Sequence, residues 1–230
     1  MNGPACKRQQ RGFAQLDLTF ALATTALLVV IAIGVVKMSG NAARLSVCRQ
    51  NLQQIGKGCL QFAVEHEEKL PAPSRDLPRD RDFWWFYKEE IKSYAGLNGV
   101  SSIEDKSFAC PLDRGYSESK PFWKLAKYDF GSYNFNGVTI PGSPNIAGWK
   151  KSAIILPNRT LLAMEWTAHA PLSWHRSRTG LKNLPFYCDA KSVVAFCDGH
   201  VDLIPIYYDG YNAAYTRDPI PGYVYKYGGQ

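Results

Sequence analysis

Leu18-Thr19-Phe20-Ala21-Leu22-Ala23-Thr24-Thr25-Ala26-Leu27-Leu28-Val29-Val30-Ile31-Ala32-Ile33-Gly34-Val35-Val36 is a run of nineteen residues without a charge. As a helix rising about 1.5 Å per residue it spans roughly 28 Å, close to the thickness of a bilayer core. Asp17 and Lys37 bound it, and Lys7, Arg8 and Arg11 precede it. By the positive-inside rule those cations hold the N-terminus in the cytoplasm and send the rest of the chain across the membrane. A cleaved secretory signal is one reading, but the run is longer than the usual signal core and no clean A-x-A site follows. A plain single-span anchor is the second reading. Neither uses the residues just upstream.

Those residues are the junction Arg11-Gly12-Phe13 and the acid at Asp17. A carboxylate at the edge of an apolar span is costly unless it is paired. A cut after Gly12 would give Phe13 a new α-amine and make Asp17 the fifth residue of the mature chain. The amine of a neighbouring copy would then neutralise Asp17. In this pattern the sequence resembles the type IV pilins and the pseudopilins of type II secretion. The match is a basic leader ending in Gly12, Phe13 at +1, an acid at +5 and an uninterrupted apolar helix. Asp17 stands where the family usually has Glu, Gln15 is polar where the family is apolar, and Gly34 stands where the family often has Pro.

The resemblance implies a leader over 1–12, a transmembrane and filament-core helix over 13–40 and a periplasmic domain over 41–230. It implies cleavage by a prepilin peptidase, N-methylation of Phe13, and residence in the inner membrane as a single-pass protein with its C-terminal domain in the periplasm. Its partners would be other pilin-like subunits, an inner-membrane assembly platform and the membrane itself. The assembled filament would serve as a type IV pilus or in secretion.

Beyond the span the periodicity continues. Leu45, Cys48, Leu52, Ile55, Cys59, Phe62 and His66 recur at steps of three and four, one stripe of an amphipathic helix. Arg49, Gln50, Gln53, Gln54, Lys57 and Gln61 fill the other faces. Gly56 and Gly58 each cost about 1 kcal/mol of helix propensity without outweighing the stripe. Leu70-Pro71-Ala72-Pro73 ends it. His66 reads as a helix-end residue. A loop over 71–82 and a short helix over 83–96, closed by Gly96, follow.

The remainder favours strands and turns. Tyr128–Ile140, Ile154–Leu156, Leu161–Trp166, Val193–Cys197 and Val201–Ile206 are the candidates. Asp198-Gly199 between the last two is a hairpin signal, with Gly accepting the positive φ of a type I′ turn. The expected class is α+β, an antiparallel sheet with the long helix across one face. Four strings deepen the resemblance: 48–56 CRQNLQQIG, Leu70-Pro71, 108–111 FACP and 196–201 FCDGHV. They look like a pilin-like subfamily with a C-terminal H-x9-DG segment. Nine residues separate Asp198 from Cys188, so Cys188 occupies the place of the named histidine.

The composition is that of a folded chain, 46% hydrophobic and 13% aromatic. The charge is +7, of which Lys7, Arg8 and Arg11 supply three, leaving 24 cations against 20 acids. That weak excess reads as an ordinary solvated surface, and no nucleic-acid partner is expected. Cys6, Cys48, Cys59, Cys110, Cys188 and Cys197 form no CxxC pair. In an exported domain the last five are candidate disulfide partners. Cys48 and Cys59, three helical turns or about 16 Å apart, are too far apart to bond each other. Either can meet a sheet cysteine, Cys188 and Cys197 are a candidate cross-strand pair, and the connectivity stays open.

HExxH, GxSxG and P-loop patterns are absent from the sequence. His169, His175 and His200 have Glu165, Asp189, Asp198 and Asp202 as candidate partners. Some pseudopilins hold Ca2+ in a late loop, which makes Asp189, Asp198, Asp202 and Asp209 weak calcium candidates beside a plain turn role. The expectation is a structural subunit without a catalytic site or an obligatory cofactor. The alternative is a membrane-tethered periplasmic enzyme or metal-binding module that uses the span only as an anchor. A third is a soluble secreted binding protein starting near Ala42–Leu45.

Overall fold

The computed structural model describes residues 10–73, 83–115, 120–138, 140–169, 174–175, 190–207 and 218–230, with the backbone alone at 10–14 and 169. It is an α+β protein in two compact units, Met1–Ala43 and Arg44–Gln230.

Helix α1 runs Gln10–Glu65 and contains no proline. Within the first unit its described side chains are exposed, among them Leu16, Phe20, Leu28, Val30, Val36 and Met38. A contiguous apolar surface of this size is unsuited to water, and the helix is long and apolar enough to cross a membrane. The polar side chains inside the run satisfy themselves locally. Thr24 donates to the carbonyl of Ala21 at 2.9 Å and Thr25 to the same carbonyl at 2.8 Å. That is how a hydroxyl survives in an apolar surround.

In the second unit the stripe Cys48, Leu52, Ile55, Cys59 and Phe62 is buried, as its spacing predicts. α1 ends without a glycine cap. Glu67 and Glu68 both take the left-handed conformation, at φ 55° and 64°, which is costly for a side-chain-bearing residue. Tertiary bonds hold them there. The Glu68 carbonyl accepts from Lys151 N, and Leu70 N donates to Trp149 O at 2.9 Å. His66 stacks on Phe62 with ring centroids 3.8 Å apart, and its Nδ1 lies 2.7 Å from the Phe62 carbonyl oxygen.

Helix α2, Phe83–Ile91, continues as a 3-10 turn to Ala95. Gly96 closes it at φ 78°, the end its sequence announces. Strands β1 Tyr133–Phe135, β2 Leu161–Glu165, β3 Lys191–Phe196 and β4 Val201–Pro205 form one antiparallel sheet in that order. A bulge between Leu161 and Ala163 sets the facing of β2. Leu161 pairs Phe196 and Met164 pairs Val194, and all four belong to one core cluster. Leu162, Ala163, Val193 and Ala195 face the other way, onto the α1 stripe. The face away from α1 is covered by the C-terminal segment. There Tyr225 and Tyr227 are buried, Leu161 N donates to Lys226 O, and the Asn136 amide bonds the carbonyls of Leu161 and Tyr227.

Three strand expectations are corrected. Among the described residues of Tyr128–Ile140, only Tyr133–Phe135 is strand, because a 3-10 turn occupies Ala126–Tyr128 and Asp129 and Phe130 are left-handed. Ile154–Leu156 is not a strand: it follows a 3-10 turn and exposes Ile155 and Leu156. The Asp198-Gly199 hairpin forms, but not through a type I′ turn. Phe196 N donates to His200 O, Gly199 N donates to Phe196 O, and of the turn residues only Gly199 has positive φ, at 95°. This is a three-residue loop, a type I turn followed by a left-handed glycine.

Candidate functional site

Four side chains from four separated segments converge beneath α1. They are Cys48 on the buried stripe, Cys110 in the loop after α2, Glu165 at the end of β2, and His175. Their sulfur, oxygen and nitrogen ligand atoms all lie within 4.8 Å of one another. Cys48 and Cys110 form a disulfide with Cα atoms 5.1 Å apart. Cys110 Sγ lies 3.6 Å from Glu165 Oε1. A disulfide sulfur carries no proton, so this is a packing contact. His175 Nε2 lies 2.5 Å from the same Oε1.

Each group is held from behind. Cys110 N donates to Ser132 Oγ at 3.0 Å, and the Ser132 hydroxyl donates to Asp113 Oδ2 at 2.6 Å. The Asp113 carboxylate also accepts from the backbone of Gly115 and Phe122 and so folds the Cys110 loop. Burial pushes the Asp113 carboxyl above its ordinary range, against the pull of these donors. Glu165 faces α1 because the β2 bulge restores the alternation Ala163-in, Met164-out, Glu165-in. Val193 N donates to Glu165 Oε2 at 2.8 Å, which turns Oε1 toward Cys110 and His175. Trp174, buried against Phe122 and donating from Nε1 to Gly115 O, anchors the residue next to His175.

The Glu165 and His175 side chains are 0% and 2% exposed. Taking a carboxyl group and an imidazole out of water is costly, and an apolar pair of similar volume often packs as well or better. Stability alone is therefore a weak reason for an acid and an imidazole at this place. The disulfide beside them closes a separation of 62 residues, worth about 4 kcal/mol by loop-closure entropy.

The other candidates are placed as follows. Gly12 and Phe13 lie in the first turns of α1, and Asp17 is an exposed residue of the same helix. Cys59 and Cys197 are free thiols in the core, and burial drives both well above their ordinary range. Cys110, the partner of Cys48, lies in a loop rather than in the sheet. Cys188, Asp189, Asp209 and the side chain of His169 lie outside the described residues. Asp198 caps its own turn, bonding His200 N and, at 2.6 Å, His200 Nδ1. Asp202 bonds the Leu203 amide and lies 3.7 Å from Arg49 Nη2. Neither belongs to the converging cluster. The sequence pairs Glu165 and His175 only as two among several polar residues. The signal for the site was the one acid in 161–166 LLAMEW, otherwise a strand of core residues.

Protein-family models, curated proteins and solved structures were each compared with the chain, and none gives a match.

Proposed function

We propose that the chain is a pilin-like subunit, cut between Gly12 and Phe13 by a prepilin peptidase and assembled through its apolar helix into a type IV pilus-like or secretion filament. One observation carries the reading: Asp17 sits five residues after the Gly12-Phe13 junction, at the head of an apolar run. An anchor needs neither feature. The exposed apolar face of α1 supports the reading, since packing many copies of residues 13–40 against one another would remove it from lipid and water alike. So does the second half of α1, whose stripe Cys48, Leu52, Ile55, Cys59 and Phe62 is buried in the α+β unit.

The role of Asp17 is electrostatic. In an apolar filament core the new amine of Phe13 from a neighbouring copy would neutralise it. Breaking a buried pair by removing one partner costs about 3–5 kcal/mol, enough to reduce assembly more than tenfold. In cells that supply a prepilin peptidase and an assembly platform, wild-type protein is expected in sheared filaments. Asp17→Ala is expected in the membrane, cleaved but at least about tenfold depleted from filaments, with Asp17→Glu restoring assembly. Equal incorporation of Asp17→Ala contradicts the pairing.

A further inference from the structure

We infer that Cys48, Cys110, Glu165 and His175 are a divalent-metal site of the zinc class, formed when the two cysteines are thiols. The inference stands on the second unit alone and does not depend on the N-terminal reading.

The donor set has the composition of a closed tetrahedral site: two sulfurs, one imidazole nitrogen and one carboxylate oxygen. With Zn–S near 2.3 Å and Zn–N or Zn–O near 2.0–2.1 Å, the edges of such a tetrahedron are about 3.3–3.8 Å. The Cys110 Sγ to Glu165 Oε1 separation is already 3.6 Å. The widest separation in the cluster is 4.8 Å, so closure asks for a movement of about 1 Å at that edge. The sulfurs, once reduced, would part to an edge of about 3.8 Å, and the Glu165–His175 pair would open by about 1 Å or slightly less. Two thiolates, one carboxylate and a neutral imidazole around a divalent ion leave a net charge of −1, the same as a Cys3His zinc site.

The surroundings also suit a metal. The Val193 amide fixes one carboxylate oxygen and frees the other toward the cluster. The Ser132 and Asp113 bonds orient the Cys110 loop. Supports of this kind tune ligand direction and affinity. A metal also supplies the reason, missing from stability alone, for burying Glu165 and His175 beside two cysteines.

The chemistry balances in two steps. A dithiol reductant passes two electrons and two protons to the Cys48–Cys110 disulfide and becomes a disulfide itself. The two new thiols then lose two protons as their sulfurs bind the ion, so binding tightens as pH rises. The disulfide and the metal are alternative fillings of one place.

The test uses the full chain in detergent micelles, reduced with a phosphine, desalted without oxygen and titrated with Co2+ alone. The expected result is one equivalent bound, with the visible bands of tetrahedral cobalt and a thiolate-to-cobalt charge-transfer band, all displaced by Zn2+. His175→Ala and Glu165→Gln are expected to weaken binding at least about tenfold, and Cys48→Ser to reduce the charge-transfer band. Cys59→Ser with Cys197→Ser, which removes the two free buried thiols among the described residues, is expected to leave the bands intact. If the reduced chain loses its near-ultraviolet circular dichroism, Zn2+ is expected to restore it. No tetrahedral cobalt spectrum in the folded reduced chain overturns the inference. So do bands that survive both His175→Ala and Cys48→Ser, bands that depend on Cys59 or Cys197, and a reduced chain that Zn2+ fails to refold.

Discussion

Asp129 illustrates what folding does to a single carboxyl. It sits at φ 50°, a conformation Asp tolerates better than most residues, and only 5% of it is exposed. Burial raises its pKa to about 7, with Lys88 pulling down and Glu89 pushing up. Lys88 itself bonds the Asp129 carbonyl at 2.7 Å and the Asp105 carboxylate at 2.8 Å. Because the folded pKa lies above the unfolded value of about 3.9, the native state binds more protons between the two values. The contribution of Asp129 is therefore complete below pH about 4 and is lost as pH rises toward about 7, by at most about 1.4 kcal/mol per pH unit. Asp129→Asn, neutral throughout and equally suited to left-handed backbone, is expected to match wild type at low pH and exceed it at pH 8. Urea midpoints at the two ends of the range check this; a wild type that gains on the variant as pH rises contradicts it. Nothing in the sequence marks Asp129, since its shift comes from burial, which the folded chain alone supplies, and Lys88 only opposes it. Glu165 was more legible, because an acid inside an apolar strand is visible before any fold is known.

α1 was the most legible element, for a physical reason. Its two halves obey different rules, apolar all round in the first and a stripe at 3.6-residue spacing in the second, and both are local patterns. Its glycines carry a prediction. A Cβ built on Gly56 would stand 3.5 Å from Ala195 Cβ and 3.8 Å from Leu162 Cδ2, ordinary contact distances. Gly56→Ala is expected to stabilise the second unit by up to about 1 kcal/mol through helix propensity. Gly56→Leu is expected to cost about 1–3 kcal/mol by overpacking against the sheet. Thermal midpoints of the two variants separate these effects, and a destabilised Gly56→Ala would show that α1 sits closer to β3 than the structure places it. The strands were less legible. Asp198-Gly199 announced a hairpin, but the turn type depended on whether Asp198 also went left-handed, and the register Ala195–Val201 leaves that to Gly199 alone. Tyr128–Ile140 read as one strand, yet half-buried Tyr128 packs in a ring cluster with buried Phe122 and Trp166 rather than along a ladder.

Across the whole second unit, the α+β class follows from the sequence, but the means of closing it does not. The face of the sheet away from α1 is covered by a segment without regular structure, held by Asp218 accepting from the amides of Tyr227 and Gly228. Such a cover has no periodicity to read. The Cys48–Cys110 bridge was equally hidden, since it joins a helix to a loop. Its removal by Cys48→Ala in metal-free oxidising buffer is expected to lower stability by roughly 2–5 kcal/mol, read from urea unfolding of the detergent-solubilised chain; an unchanged midpoint would remove the bridge from the account.

The pilin-like reading stands or falls on the first residue of the mature chain. The direct measurement is N-terminal sequencing and intact mass of the protein expressed with and without a prepilin peptidase. The account predicts a peptidase-dependent start at Phe13 carrying one added methyl group. An uncut Met1, or a start near residue 42, contradicts it.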